Sequence, residues 1–355
     1  MPGVFTTSQL YPVLESINRM WADPRSNRDM YEPTEVVRAI AENQKVTLNP
    51  VLINNSCVAY KVAWLTRCDT EATDISDDTA SSSCALTGDE IDSNNATYEP
   101  SGTLSDSFTV WDDDCAGLFS FEDKVAKGML DSQKNIKKKL NIAALNFLHA
   151  NTDDNSHLVG NIENVASVGS YFPDSDWTPD LIAQMAEVAI MNRIKDPAFV
   201  TGSNLWGTKF NANYEFQNDD TKDRILKLNH FRDWYWDLET VDVTLGTKST
   251  IMFDKGAVAA FGKNEYSWTA PKDMKDSLNT ITYSMPDMEL RYMNGGSAVP
   301  FRYDIESQVV CKTLAGGVKK WGRVFLLKLQ YGFILSPEDC AGKAGILEFI
   351  KGTPA

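Results

Sequence analysis

The side chains best suited to chemistry are few in this sequence, and their spacing does not assemble a reaction centre. Only three histidines occur, His149, His157 and His230. His230 precedes Asp233 by one helical turn, but a metal ion needs further ligands that the neighbouring sequence does not supply. A phosphate loop needs glycines so that backbone amides can reach the anion. Gly246-Thr247-Lys248-Ser249 keeps the lysine-serine pair but has Thr247 where that glycine belongs. A nucleophile elbow holds serine on a sharp turn after a strand. Gly202-Ser203-Asn204 follows a strand-like run, but Trp206-Gly207 has the wrong spacing, so a simple turn is expected. Carboxylates are abundant, and with the tryptophans they are compatible with sugar chemistry, although composition pairs no two acids across a cleft. Trp177, Trp206, Trp234 and Trp236 are expected in the core or an interface. No catalytic, cofactor-binding or metal-binding residue is assigned, no cofactor is implied, and the chain is expected not to be an enzyme.

Composition narrows the classes. The 355 residues are 43% hydrophobic and 10% aromatic, which indicates a globular chain long enough for two domains. A net charge of −15 argues against a general nucleic-acid binder, which needs a basic face. It leaves room for a protein that encloses nucleic acid without gripping it. No signal peptide opens the sequence and no run of about 18 apolar residues crosses a membrane, so folding in a cytoplasm is expected. The cysteines Cys57, Cys68, Cys84, Cys115, Cys311 and Cys340 form no C-x-x-C pair, which disfavours structural zinc. Four of them sit before residue 119, where disulfides would require an oxidising setting. Asn54-Asn55-Ser56 and Asn95-Ala96-Thr97 match the glycosylation pattern but are read as chance without a secretory signal.

The element that must position everything else is a helix expected over residues 119–150. Phe121, Val125, Met129, Ile136, Leu140, Ala144 and Leu148 fall near one stripe, with Gln133 as the polar interruption. Ser120 and Asp123 form a candidate capping pair. Lys137-Lys138-Lys139 reads as the solvated face, with contact to phosphate or an acidic neighbouring subunit as its second reading. His149 and His157 flank the helix end, where a cation is favourable.

Around it the chain reads as follows. Residues 1–50 form an arm with short helices, one of them over residues 34–40. Residues 51–53 and 58–64 are strands, the second alternating as a half-buried strand does. Residues 69–100 are a polar excursion with almost nothing to bury, and a strand resumes at Thr109-Val110-Trp111. Thr178-Pro179-Asp180 starts a helix that buries Leu181, Ile182, Met185, Ala189 and Val188. Residues 198–202 are a short buried strand and turn. Residues 230–245 alternate, residues 250–253 are a strand, and residues 257–261 a small apolar helix. Further strands are expected within residues 272–307, at residues 288–292, along residues 324–334 and at residues 345–350.

This order of elements resembles the major capsid protein of tailed bacteriophages, whose fold is shared by herpesviruses and encapsulins. The stretch ending ALNFLHAN looks like the spine helix. Residues 66–114 look like the extended loop, and the runs DPAFVTGSNLWGTKFNAN and TIMFDKGAVAAFGK look like peripheral and axial pieces. The run LKLQYGFILSPEDCAGKAGILEFIKG is similar to closing strands of capsid proteins from phages of Bacteroidota-type hosts.

The resemblance implies an α+β, HK-ninety-seven-type capsid fold. Its parts would be an N-terminal arm (1–50), an extended loop with flanking strands (51–118), and a spine helix with peripheral domain (119–175). An axial domain with peripheral segments (176–305) and a return to the peripheral domain (306–355) would follow. It implies a subunit that forms hexamers and pentamers of itself and tiles an icosahedral shell around double-stranded DNA without sequence-specific binding. Scaffolding, portal and decoration proteins are its implied partners, with no membrane. Its implied location is the virion, after assembly in the host cytoplasm. Removing residues 70–110 is then expected to leave a folded chain that fails to assemble. Two other readings stand beside it: a secreted carbohydrate-active or carbohydrate-binding protein, and another virion structural protein such as a minor capsid or tail-tube subunit.

Overall fold

The computed structural model describes residues 34–45, 49–54, 57–66, 92–111, 120–153, 163–165, 169–172, 179–194, 196–201, 233–237, 249–262, 280–286, 301–336 and 343–351. These contain the helices α1 (Glu35–Asn43), α2 (Phe121–Ala150) and α3 (Pro179–Met191). The strands fall into three sheets, so the fold is α+β.

The expected long helix is α2, with 30 residues and a length of about 45 Å. It starts where the sequence places it. Asp123 N–H donates to Ser120 Oγ at 3.1 Å and Ser120 N–H donates back to Asp123 Oδ2 at 3.3 Å, a reciprocal capping box. Val125, Met129, Ile136, Leu140, Ala144 and Leu148 are all buried, and Phe121 packs partly against the same core. The polar residues Ser132, Gln133, Lys137 and Asn141 are buried too. Gln133, Lys137 and Asn141 form a row at four-residue steps beside the apolar stripe, so the helix is enclosed over a wider arc than its hydrophobic residues mark out. Lys137 corrects the expectation of a solvated lysine face: it is buried, while Lys138 and Lys139 are exposed. Its position between Gln133 and Asn141 lays its methylene stem along the covered flank.

A first sheet holds β4 (Gly102–Trp111), β10 (Val258–Gly262), β11 (Thr280–Pro286), β12 (Arg302–Thr313) and β13 (Lys319–Leu335). The 17-residue β13 is its axis, pairing antiparallel with β4, β12 and β10. Phe325, Leu327 and Leu329 alternate inward and join Tyr303, Ile305, Leu104 and Phe108 in the core that α2 covers. The Phe108 and Phe325 rings stack at 5.1 Å.

A second sheet has the order β5 (Glu163–Val165), β6 (Gly169–Phe172), β14 (Ile346–Lys351), β9 (Ser249–Asp254), β7 (Pro197–Thr201), β8 (Asp233–Trp236). Its strands β7, β9 and β14 are buried on both faces, which explains their nearly unbroken apolar runs. One face, with Phe199, Met252, Leu347 and Phe349, packs with Met185, Val188 and Ala189 of α3. The other, with Ala198, Val200, Ile251 and Phe253, belongs to the α2 core. A third, three-stranded antiparallel sheet runs β1 (Asn49–Asn54), β2 (Cys57–Thr66), β3 (Asp92–Tyr98).

Several expectations change. Residues 257–261 are not a helix but mostly β10. Val258 and Ala260 enter the α2 core, whereas Ala259 and Phe261 enter a separate cluster with Tyr60 and Ile334. A short strand buried on both faces carries no period to separate it from a helix. Gly256, at φ 94°, turns the chain from β9 in one sheet to β10 in the other. The excursion of residues 69–100 carries β3, and the strand expected from residue 109 begins at Gly102. Removing residues 70–110 would therefore take out β4 and its buried contacts, so that deletion tests folding as well as assembly. Residues 306–355 contribute to both sheets, β12 and β13 to the first and β14 to the second. The remaining expected elements, at residues 1–33, 202–232 and 288–292 among others, lie outside the described residues.

Candidate functional site

Two parts of the fold project beyond what it needs for its own core. The first is the pair β2–β3. Its base is anchored: Tyr60 O–H donates to the Gly262 carbonyl at 3.0 Å, and the Tyr60 ring meets Phe261 edge-on at 4.9 Å. Val62, Trp64 and Tyr98 pack against the same cluster. The opposite face of the ladder has no such support. Lys61, Ala63, Ser93, Asn94, Asn95 and Thr97 are exposed, although the register Ala63↔Asn95 and Trp64↔Asn94 is kept. A ladder of Asn, Ser and Thr with so little apolar cover is a poor independent unit.

The second projection is the hairpin between β12 and β13. Every residue from Cys311 to Lys319 is exposed, while the pairs Cys311↔Trp321, Lys312↔Lys320 and Thr313↔Lys319 hold the strands together. Leu314 N–H donates to the Val318 carbonyl at 2.8 Å, and Gly316 and Gly317 turn the chain at φ 90° and 78°.

Beneath these projections, polar groups lock α1 and α2 to the sheets. Thr34 provides no side-chain cap to α1. Asn141 of α2 replaces it, its Oδ1 accepting from Val36 N–H at 3.1 Å and Val37 N–H at 3.2 Å. The fully buried Asp237, just past β8, accepts from Asn141 Nδ2 at 2.8 Å and from Val36 N–H at 3.2 Å. Its negative charge thus sits at the positive end of the helix dipole. At the other end of α1, Tyr235 O–H donates to Glu42 Oε2 at 2.7 Å.

The C-terminus of α2 is tied in the same way. His149 Nδ1 lies 2.7 Å from Glu348 Oε2 of β14. Burial pushes the Glu348 carboxyl above its ordinary value and His149 pulls it part of the way back. Glu348 Oε1 is buried and has no hydrogen-bond partner among the described residues. Asp153 accepts the backbone N–H groups of Ala344, Gly345 and Ile346 at 2.8, 2.6 and 3.0 Å.

These contacts use up the chemical candidates that fall among the described residues. His149 serves as a helix-to-strand tie, and Trp234 stacks on Phe199 at 4.5 Å inside the second sheet. Ser249 is buried in β9, and Cys311 is a free, exposed thiol on the projecting hairpin. Among the described residues no cluster of His, Cys, Asp and Glu is arranged to hold a metal, and no helix is long and apolar enough to cross a membrane. His157, His230, Ser203, Lys248, Trp177, Trp206 and the cysteines 68, 84, 115 and 340 lie outside the described residues. Sequence reasoning missed Asn141, Asp153 and Asp237. Each caps backbone from a distant part of the chain, which local patterning does not signal.

No protein-family model matches the chain, and no curated protein matches it in sequence. Solved structures that it resembles come from bacteriophages. A structure of the cyanophage A-1(L) capsid asymmetric unit has 12% identity and a TM-score of 0.44, over 91% of this chain and 94% of that one. A structure from Mycobacterium phage Bobi has 10% identity and a TM-score of 0.42, over 91% and 92%. The asymmetric unit of the bacteriophage PhiM1 mature capsid has 8% identity and a TM-score of 0.39, over 84% and 83%.

Proposed function

We propose that this chain is a structural shell subunit, the major capsid protein of a tailed phage. The observation that carries the reading is the β2–β3 arm: one face of its ladder, Lys61 and Ala63 with Ser93, Asn95 and Thr97, is open to solvent, and the other rests only on the small cluster around Tyr60 and Phe261. An element of that kind gains its stability against a neighbour. The long capped helix α2, clamped at Asn141 and at His149–Glu348, supplies the rigid body on which such an arm can be carried. Head-to-tail contacts between copies close into rings, here hexamers and pentamers of an icosahedral head around double-stranded DNA. The charge of −15 suits a wall that encloses DNA without sequence-specific binding. In this reading the first sheet with α2 is the peripheral domain, and the second sheet with α3 is the axial domain. Assembly takes place in the host cytoplasm, with scaffolding, portal and decoration proteins as further partners, and no side chain is catalytic. This is also the class of assembly that the phage capsid structures above are named for.

The test replaces residues 62–96 by an Asn-Gly turn between the paired Lys61 and Thr97, which removes the outer arm and leaves the Tyr60 anchor and β4 intact. Negative-stain microscopy and light scattering compare the two chains. Rings, sheets or shells from the full chain, and a folded but unassembled variant, are expected. Normal assembly of the shortened chain would remove the arm from the account.

A further inference from the structure

The β12–β13 hairpin carries three of the large hydrophobic side chains that the described surface exposes. Leu314 is 43% exposed, Val318 62% and Trp321 43%. The hairpin is also the basic part of an acidic protein. From residue 307 to residue 336 the sequence holds five Lys or Arg residues and no Asp or Glu, within a chain of net charge −15. Arg323 bonds to Ser307 and Lys328 to Glu306 at the root. Lys312, Lys319 and Lys320 stand at the outer end, with Lys312 lying 4.3 Å over the Trp111 ring. The turn is preformed by Gly316, Gly317 and the Leu314–Val318 bond, so little ordering is needed when it meets a partner.

We infer that this tip docks on the acidic body of a second copy of this chain. The juxtaposition of Val318, Leu314 and Trp321 with Lys312, Lys319 and Lys320 asks for a partner that is apolar at the centre and acidic at the rim. The rest of the chain, which carries all 49 acidic residues outside residues 307–336, supplies that rim. A second tip does not, because it would set three lysines against three. Nucleic acid would pair with the lysines but leave Val318 and Leu314 in water. The contact is therefore heterologous, tip to body, and propagates instead of closing on itself as a two-fold pair. It deepens the shell-subunit reading and rests on it only in requiring that copies repeat.

The test places a photo-cross-linking benzoylphenylalanine at Val318 in the full chain and maps adducts by mass spectrometry, with and without a double-stranded DNA fragment. Cross-links from the tip to acidic segments of a second copy are expected. They should weaken about tenfold or more in a Lys319→Glu/Lys320→Glu variant and at high salt. Tip-to-tip adducts, adducts to DNA alone, or no intermolecular adducts would each overturn the inference. Shells that form with tip-to-tip adducts would sink the docking mode and leave the shell reading standing. Tip-to-body adducts without any shell would do the reverse.

Discussion

The Phe108 ring of β4 lies against α2 where a Cβ on Gly128 would stand. Gly128 leaves room for that ring against the helix, and a glycine in mid-helix is otherwise unfavourable. Alanine would improve helix propensity by about 0.8–1.0 kcal/mol but drive the ring out of its stack on Phe325, at the ~1–3 kcal/mol typical of overpacking. We expect Gly128→Ala to lower stability by about 1 kcal/mol in urea denaturation. Adding Phe108→Leu should recover part of the loss. An additive double mutant would show that the two residues do not meet as described.

Asn141 caps α1 from another helix. Asn141→Ala leaves two buried N–H groups without their acceptor, which costs about 1–3 kcal/mol. Asn141→Asp keeps an acceptor but sets a second carboxylate beside the buried Asp237. It should therefore destabilise more at neutral pH than in mild acid, a reversal that Asn141→Ala lacks. Amide exchange of residues 35–43 reads the effect locally.

The His149–Glu348 tie gives a pH dependence of definite sign. Burial raises Glu348, and it raises Glu35 against the pull of Arg38. Folded chain then holds these protons more tightly than unfolded chain. The resulting stability is complete below the unfolded carboxyl value of 4.5 and is lost as pH rises through the folded one. Glu348→Gln removes one of these ionisations. Thermal melts from about pH 4 to 7 should show a shallower decline for the variant than for the wild type. Parallel curves would mean that Glu348 does not contribute.

Tyr60→Phe removes the hydroxyl that binds the Gly262 carbonyl but keeps the ring against Phe261. A loss of about 0.5–1.5 kcal/mol is expected. Faster amide exchange in residues 92–98 than in residues 102–111 would locate it at the arm; uniform change would place it in the core instead.

Much of the scaffold was legible locally. The α2 stripe, the Ser120–Asp123 box and the buried faces around Met185 and Ala198 follow from spacing and capping chemistry. What resisted reading shares one cause. Lys137 is buried although it stands in a run of three lysines, β10 is apolar on both sides because two cores meet across it, and β3 is polar because its ladder, not its side chains, holds it. The ties at Asp153, Asp237 and Glu348 reach across a hundred residues or more, so no window of sequence contains both ends. The projecting hairpin lies between the strands expected within residues 272–307 and along residues 324–334 and was not read as an element, since its polar, glycine-turned end has no apolar period.

The place of β14 between β6 and β9 has a consequence for how the molecule is made. Without residues 346–351 the second sheet falls into two pieces, β5–β6 and β9–β7–β8, each with an open edge. That layer can close only after the residues of β14 have been synthesised, by a late and non-local step of the slow kind. A stalled or truncated chain therefore displays unfinished strand edges, the signal by which chaperones and proteases sort failures. Closure of this layer therefore waits on the pairing of both edges of β14.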